Sequence, residues 1–264
     1  MTREHIATLT KDPMTTGLFL DFDGTLSDIV LVPAAARPLE GSVAVLHELV
    51  DRFGLVAIVS GRSAEQLLEW MGPKLEIWGT HGAQRVVDGK VTLSDHAVAF
   101  AELMRRVYSE AKEALDELAI PGAVLEDKRI MIGLHFRATP DPEDARVALD
   151  KLAQELADRH GLRRAGGRLA YELRPPAEFT KAAVVLERSL ELGLESVAFF
   201  GDDRVDLPAF DALDDLSERG LATVRIAVRS DEAPPGLLER ADEIVDGPSG
   251  TLAFLRELVR ASGG

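Results

Sequence analysis

An apolar run, Leu18-Phe19-Leu20, ends abruptly in Asp21-Phe22-Asp23-Gly24-Thr25-Leu26. A buried strand has no structural use for two carboxylates at its end, because burying a charge without a partner is costly. Side-chain alternation puts Asp21 and Asp23 on one side and Phe22 on the other. Phe22 can then stay in the core while both carboxylates lean into one site. Gly24 lets the backbone turn and lets a ligand come close. Ligands of open α/β sheets bind at the carboxyl ends of the strands, so the run predicts a buried strand over residues 17–20 with chemistry at its far end. A turn would explain Asp23-Gly24 but leaves Asp21 unexplained. An EF-hand loop counted from Asp21 fails, since Leu26 falls at the glycine position and Val32 at the final glutamate.

The same pattern of apolar strand, polar strand end and helix recurs along the chain. Leu39, Val43, Leu46, Leu49 and Val50 recur at helical spacing, so residues 38–53 read as a helix with proline near its start. A buried-type strand over 55–59 ends at Ser60-Gly61-Arg62, and Ser63 can cap the helix that runs to Met71. A short strand over 75–78 ends at Gly79-Thr80-His81-Gly82. The rhythm then changes. Asp88-Gly89 signals a hairpin; a long helix follows over about 97–118, then strands at 124–126 and 130–136. A helix from Asp141 or Pro142 to about His160 and two short strands, 162–164 and 169–174, complete this stretch. After Pro175-Pro176 the first rhythm returns: helix 180–192, strand 196–200 ending in Gly201-Asp202-Asp203, a helix from about Leu207, strands 221–228 and 243–245, and helix 248–259. The first dozen residues read as a loose tail. The expected fold is α/β, a Rossmann-like doubly wound parallel sheet core with an inserted α+β cap domain. The core takes residues 1–82 and 177–264, and the insertion residues 83–176.

With 264 residues and 46% hydrophobic content, the chain can bury a sizeable core. Its formal net charge of −15 repels nucleic acid and anionic membranes, so neither is expected as a partner. The absence of cysteine excludes disulfides and thiolate metal sites. No apolar run is long enough to span a bilayer and residues 1–13 carry no apolar stretch of the signal-peptide kind, so the expectation is a cytoplasmic monomer acting on a small molecule.

Four elements fall just after core strands or at a helix start: Asp21 with Asp23, Ser60, Lys181, and Asp202 with Asp203. In a doubly wound sheet they converge. Close carboxylates repel by several kcal/mol per pair at an effective dielectric of about 20, and they persist when a hard cation sits among them. Oxygen-only ligands suit Mg²⁺, which binds substrate phosphate as well. A carboxylate, a metal, a lysine and a hydroxyl together suit a phosphate dianion. Taken singly, Gly201-Asp202-Asp203 is an ordinary acidic loop, Ser60-Gly61-Arg62 an ordinary cap and Lys181 a surface lysine; the weight lies in all four occurring in order.

The run from Asp21 to Leu26 resembles the first motif of the haloacid dehalogenase-like phosphatases, and Ser60, Lys181 and Gly201-Asp202-Asp203 match the other three in order. Within that superfamily, Asp21 to Val30 with Pro33 and Ala36, Ser60-Gly61-Arg62, Gly79-Thr80-His81-Gly82, Leu125-Glu126-Asp127-Lys128 with His135-Phe136-Arg137, and Glu172-Leu173-Arg174-Pro175 look like trehalose-6-phosphate phosphatases. Val205 and Leu207 stand where threonine and glutamate are usual, and Ala182 where glycine is common. The resemblance implies a Mg²⁺-dependent phosphatase. Asp21 would attack phosphorus and form an aspartyl-phosphate, and Asp23 would serve as acid and then base. The metal would take Asp21, the Asp23 carbonyl and Asp202, with Asp203 or Asp206 behind them. Ser60, Lys181 and the backbone near Gly24 and Gly61 would hold the phosphoryl oxygens, and Thr25 would orient Asp23 or the loop. Arg62, His81, Glu126, Lys128, Arg137, Glu172 and Arg174 would contact the substrate, whereas Trp70 and Met71 read as core. The alternatives are a phosphatase for another sugar phosphate, such as a glycosyl-glycerate phosphate, and a phosphosugar mutase. A signalling receiver domain would be about half as long and would lack the insertion.

Overall fold

The protein is described from a computed structural model over residues 3–30, 35–127, 130–167, 169–175, 179–230 and 233–263. It forms two compact units, residues 1–92 with 179–264, and residues 93–178. The larger unit contains α1 (Arg3–Thr10), β1 (Thr16–Leu20), α2 (Ser42–Val50), β2 (Leu55–Val59), α3 (Ala64–Met71), β3 (Glu76–Gly79), β4 (Gln84–Val87) and β5 (Lys90–Leu93). The smaller unit follows with α4 (Asp95–Leu118), β6 (Val124–Asp127), β7 (Ile132–His135), α5 (Pro142–His160), β8 (Arg163–Gly167) and β9 (Ala170–Arg174). The chain then returns to the larger unit through α6 (Lys181–Glu191), β10 (Ser196–Gly201), α7 (Leu207–Glu218), β11 (Ala222–Arg229), α8 (Pro235–Arg240), β12 (Glu243–Asp246) and α9 (Gly247–Ala261).

The large sheet has eight strands in the order β12-β11-β10-β1-β2-β3-β4-β5. Pairing is parallel from β12 through β3 and antiparallel between β3 and β4. Alternation along the strands sorts the core into two layers. Leu18, Leu20, Val56, Ile58, Phe200 and Ile226 pack with Leu46 and Leu49 of α2, Leu67 and Met71 of α3, and Phe254, Leu255 and Leu258 of α9. Phe19, Ala57, Val59, Val197, Phe199 and Ala227 face the other way, against Val184 and Val185 of α6 and Phe210, Leu213 and Leu216 of α7. This is the doubly wound parallel sheet that the sequence predicts. In the smaller unit a four-stranded antiparallel sheet, β6-β7-β9-β8, buries Ile132, Leu134, Tyr171 and Leu173 against helical residues that include Val107, Leu149 and Leu156.

Three local expectations are corrected. The segment read as a loose tail is helix α1, because Leu9 is fully buried in the first core layer and His5 reaches Glu243 of β12 at 3.1 Å. The hairpin β4–β5, which the change of rhythm places in the insertion, extends the large sheet, so the larger unit runs to Thr92 rather than stopping at Gly82. A two-stranded ribbon is marginal alone, and the open edge of β3 offers it partners. Helix α2 begins at Ser42 rather than Pro38, because Gly41 (φ +84°) breaks the helical path before it.

Candidate active site

The carboxyl ends of β1, β2 and β10 meet above the sheet, since they are adjacent parallel strands in register. At the end of β1, Asp21 N–H still donates to Phe200 O at 2.9 Å, in ladder fashion. The chain then curls: the amides of Thr25, Leu26 and Ser27 all donate to Phe22 O, and Gly24 N–H donates to Ser27 O at 2.8 Å. Gly24 has φ +73°, and a Cβ there would lie 1.9 Å from Asp202 Oδ2. Only glycine lets the loop and Asp202 approach so closely.

Lys181 opens α6, whose cap Thr180 accepts from Ala183 N–H at 3.2 Å. Its ammonium is almost fully buried, 2.7 Å from Asp21 Oδ2 and 2.6 Å from Asp206 Oδ1. Asp206 Oδ2 accepts from the amides of Asp202 (3.0 Å) and Asp203 (3.1 Å), in a capping box with Asp203. Asp206 is thereby committed to holding Lys181 and the loop after β10. Asp202 differs. It is buried, and its Oδ1 has no hydrogen-bond partner among the described residues. Burial, with the nearby charges of Asp21 and Asp206, pushes the Asp202 carboxyl up to about 8. Asp21 rises to about 7, because burial outweighs the opposing pull of Lys181. Burial would lower the Lys181 ammonium, but the two carboxylates overcome that and hold it above its ordinary value. Asp21, Asp202 and Asp206 each offer an oxygen within 4.8 Å of the others'. A buried acidic group with an orphaned oxygen fits a hard divalent cation.

A cavity of about 330 Å³ opens on this cluster, lined by Asp21, Asp23, Ser60, Gly61, His81, Lys181, Asp202, Asp203, Ile29 and Val205. Eight of these were singled out from the sequence. Of the other core residues singled out, Gly24 packs on Asp202 and Asp206 supports Lys181. Thr25 is buried with no hydrogen-bond partner for its hydroxyl among the described residues. Arg62 donates to Asp23, which lines the cavity, with Nε to Oδ2 at 2.7 Å and Nη2 to Oδ1 at 2.6 Å. Trp70, read as core, is half-buried and stacks on Phe22 and beneath Arg62. Gln66 and Trp70 stand four residues apart on one face of α3, and Arg62 precedes its cap Ser63, which is the pattern in the sequence that groups them. Of the two hydrophobic lining residues, Val205 is the departure from threonine described above, and nothing in the sequence marks Ile29 as lining.

His81 is held by strain. Thr80 (φ +52°) and His81 (φ +58°) are consecutive left-handed residues, and neither is glycine. Their amides donate to Arg62 O (2.7 Å) and Ser60 O (2.8 Å), and Thr80 Oγ1 donates to Gln84 at 3.0 Å. The turn after β3 is thus pinned to the loop after β2, with the His81 ring where a Cβ of Gly61 would fall 2.9 Å away.

The remaining predicted residues belong to the smaller unit. Glu126 and Glu172 flank Gly133 in register, His135 Nε2 is 2.8 Å from Glu126, and Arg174 donates to Glu172. Arg137 is exposed. Lys128 lies outside the described residues.

A family model described as Trehalose-phosphatase matches residues 19–235. A trehalose-phosphate phosphatase of Mycolicibacterium paratuberculosis is 37% identical over 206 residues, covering 74% of this chain and 51% of that protein. The chain spans about half the length of the curated relatives it matches. Among solved structures, a trehalose-6-phosphate phosphatase related protein superposes with a TM-score of 0.73 at 23% identity, covering 92% of this chain and 97% of that one. The trehalose-6-phosphate phosphatase of Aspergillus fumigatus gives 0.62 at 26% identity, with 97% and 98% covered. No described helix is long and apolar enough to cross a membrane.

Proposed function

This chain belongs to the trehalose-phosphatase family, and from that premise we propose that it hydrolyses trehalose 6-phosphate to trehalose and phosphate. One observation carries the reading: Asp21, Lys181 and Asp202, buried together, share a cavity with Asp23 and Ser60. An Asp21 carboxylate oxygen attacks phosphorus as the bond to the sugar oxygen breaks, and Asp23 gives that oxygen a proton. Trehalose leaves, and Asp21 carries the phosphoryl group. Water then attacks the same phosphorus, Asp23 takes its proton, and the bond to Asp21 breaks. Phosphate leaves and both carboxyl groups return to their starting forms. Lys181 and the Ser60 hydroxyl bind phosphoryl oxygens, and the amides near Gly24 and Gly61 add donors. Asp21 and Asp202, with the Asp23 carbonyl, would hold Mg²⁺, which when bound supplies positive charge to the phosphoryl oxygens. Asp206 acts on the site through Lys181.

Phosphate release from trehalose 6-phosphate, measured beside glucose 6-phosphate with and without Mg²⁺, tests the assignment. Release from trehalose 6-phosphate alone, and only with the cation, is the expected result. Equal kcat/KM on both sugars would remove the substrate assignment, and full rate in excess chelator would remove the metal. The acidic cluster makes a separate prediction. A carboxyl whose pKa is raised by folding favours the folded state while protonated, and that advantage is lost as pH rises toward the folded value. Asp202 rises from 3.8 to about 8, so the chelated protein should melt at progressively lower temperature across that interval. Cation and proton compete for the same oxygens, so the Mg²⁺-induced rise in Tm should be small near pH 5 and largest near pH 8. A rise independent of pH would count against Asp202 as a ligand.

A further inference from the structure

We propose that Arg62 is a positioning residue that acts through Asp23, and that Trp70 in turn holds Arg62. The inference rests on the reading of Asp23 as acid and base. Asp23 lies beyond the end of β1, in the curl after Phe22, so strand geometry does not aim its carboxylate. Its side chain is 43% exposed, against 8% for Asp21. What holds it is the fork of Arg62, whose bonds of 2.6 and 2.7 Å reach both oxygens of the ionised form; when Asp23 carries its proton, one oxygen stays in the fork and the other bears the proton. Arg62 is itself fixed on several sides. Its Nη1 donates to Gln66 at 3.0 Å, and its guanidinium lies 5.0 Å from the Trp70 ring centroid and 5.5 Å from that of Phe22. Phe22 and Trp70 stack at 5.1 Å, so the residue between the two aspartates anchors the platform beneath the arginine. The Arg62 fork is therefore spent on a protein carboxylate, where the sequence reading gave it to the substrate. Proton transfer depends on such placement, since misplacing a reacting group by about 1 Å can cost on the order of 100-fold.

The leaving group separates this role from a structural one. A sugar alkoxide needs a proton to leave, whereas p-nitrophenolate does not, and kcat/KM reports the steps up to the aspartyl-phosphate. Arg62→Lys keeps the charge but not the fork. It should lower kcat/KM for trehalose 6-phosphate by about 10- to 100-fold, and for p-nitrophenyl phosphate by at least about tenfold less. Asp23→Asn should show the same bias, and Arg62→Lys added to Asp23→Asn should cost nothing more. Trp70→Phe should leave both rates near those of the parent and Trp70→Leu should show the selective loss on trehalose 6-phosphate, which gives a second route should Arg62→Lys fail to fold. The melting temperature of Arg62→Lys should stay within about 3 °C, as Asp23 left alone is still hydrated. Equal losses on both substrates, a rise in KM alone, or a further loss in the Asp23→Asn background would overturn the proposal. A parent protein that releases phosphate from neither substrate would instead strike the functional reading, and this inference with it.

Discussion

Replacing Asp21 with asparagine is expected to lower phosphate release by about 10⁴-fold or more while leaving the fold intact. The amide keeps the shape of the carboxylate and cannot form the acyl-phosphate bond. The loss should fall on kcat, because the Ser60 and Lys181 side chains proposed to bind the phosphoryl group are unchanged. Stability should not fall with it. Lys181 keeps Asp206 at 2.6 Å, and the Asp202 carboxyl is relieved of a neighbouring charge that helps to raise it. Without a cation, the Asp21→Asn protein should melt at or above the parent temperature. A phosphate-release assay and a thermal melt in chelator check both halves. Residual turnover above about 1% of the parent rate would remove Asp21 as the nucleophile.

Lys181→Met should act on the fold as strongly as on the chemistry. The ammonium is the charge that neutralises Asp21 and Asp206 in a water-poor site. Deleting one partner of a buried ion pair costs about 3–5 kcal/mol, because the other charge stays buried without compensation. For a chain of this size that is a fall in Tm of roughly 10 °C. The deficit should depend on pH in a defined direction. Asp21, already raised by burial, can take a proton when the lysine is gone, so the penalty should shrink near pH 5 and grow near pH 8. A variant that melts like the parent at pH 8 would show that this triad is not held as described. Lys181→Arg should not rescue it, since a planar fork does not fit a site shaped around a point charge.

Much of this arrangement was legible because it is written locally. Leu18, Phe19 and Leu20 are apolar on both faces, which a strand needs only when helices cover both sides of its sheet. Ser60, Lys181 and Asp202 stand out because each follows a strand or opens a helix, and parallel strands bring those ends to one side. Helix α1 was missed because its anchors, Leu9 in the core and His5 on Glu243, lie far along the chain from their partners. The hairpin β4–β5 was recognised by its turn but placed in the wrong unit, since a turn signal does not say which edge a ribbon joins. For Arg62 and Asp206 the motif match implies substrate contact and a place behind the metal, whereas the fold pairs them with Asp23 and Lys181.

Which strands are buried on both faces, where each ends, and which side chains stand at those ends can be read along the chain. Those properties follow from periodicity and turn chemistry within a few residues. How the charges are partnered depends on the folded arrangement. Arg62 holds Asp23, Lys181 lies between Asp21 and Asp206, and Asp202 keeps an unpartnered oxygen. Each acid had several cations it could have met. The choice depends on the register of parallel strands joined by long crossovers, which brings together groups as far apart in the chain as Asp21 and Lys181 and buries them from water. Burial then makes each pairing decisive, because a buried carboxylate is ionised or protonated according to which neighbour the fold has placed beside it.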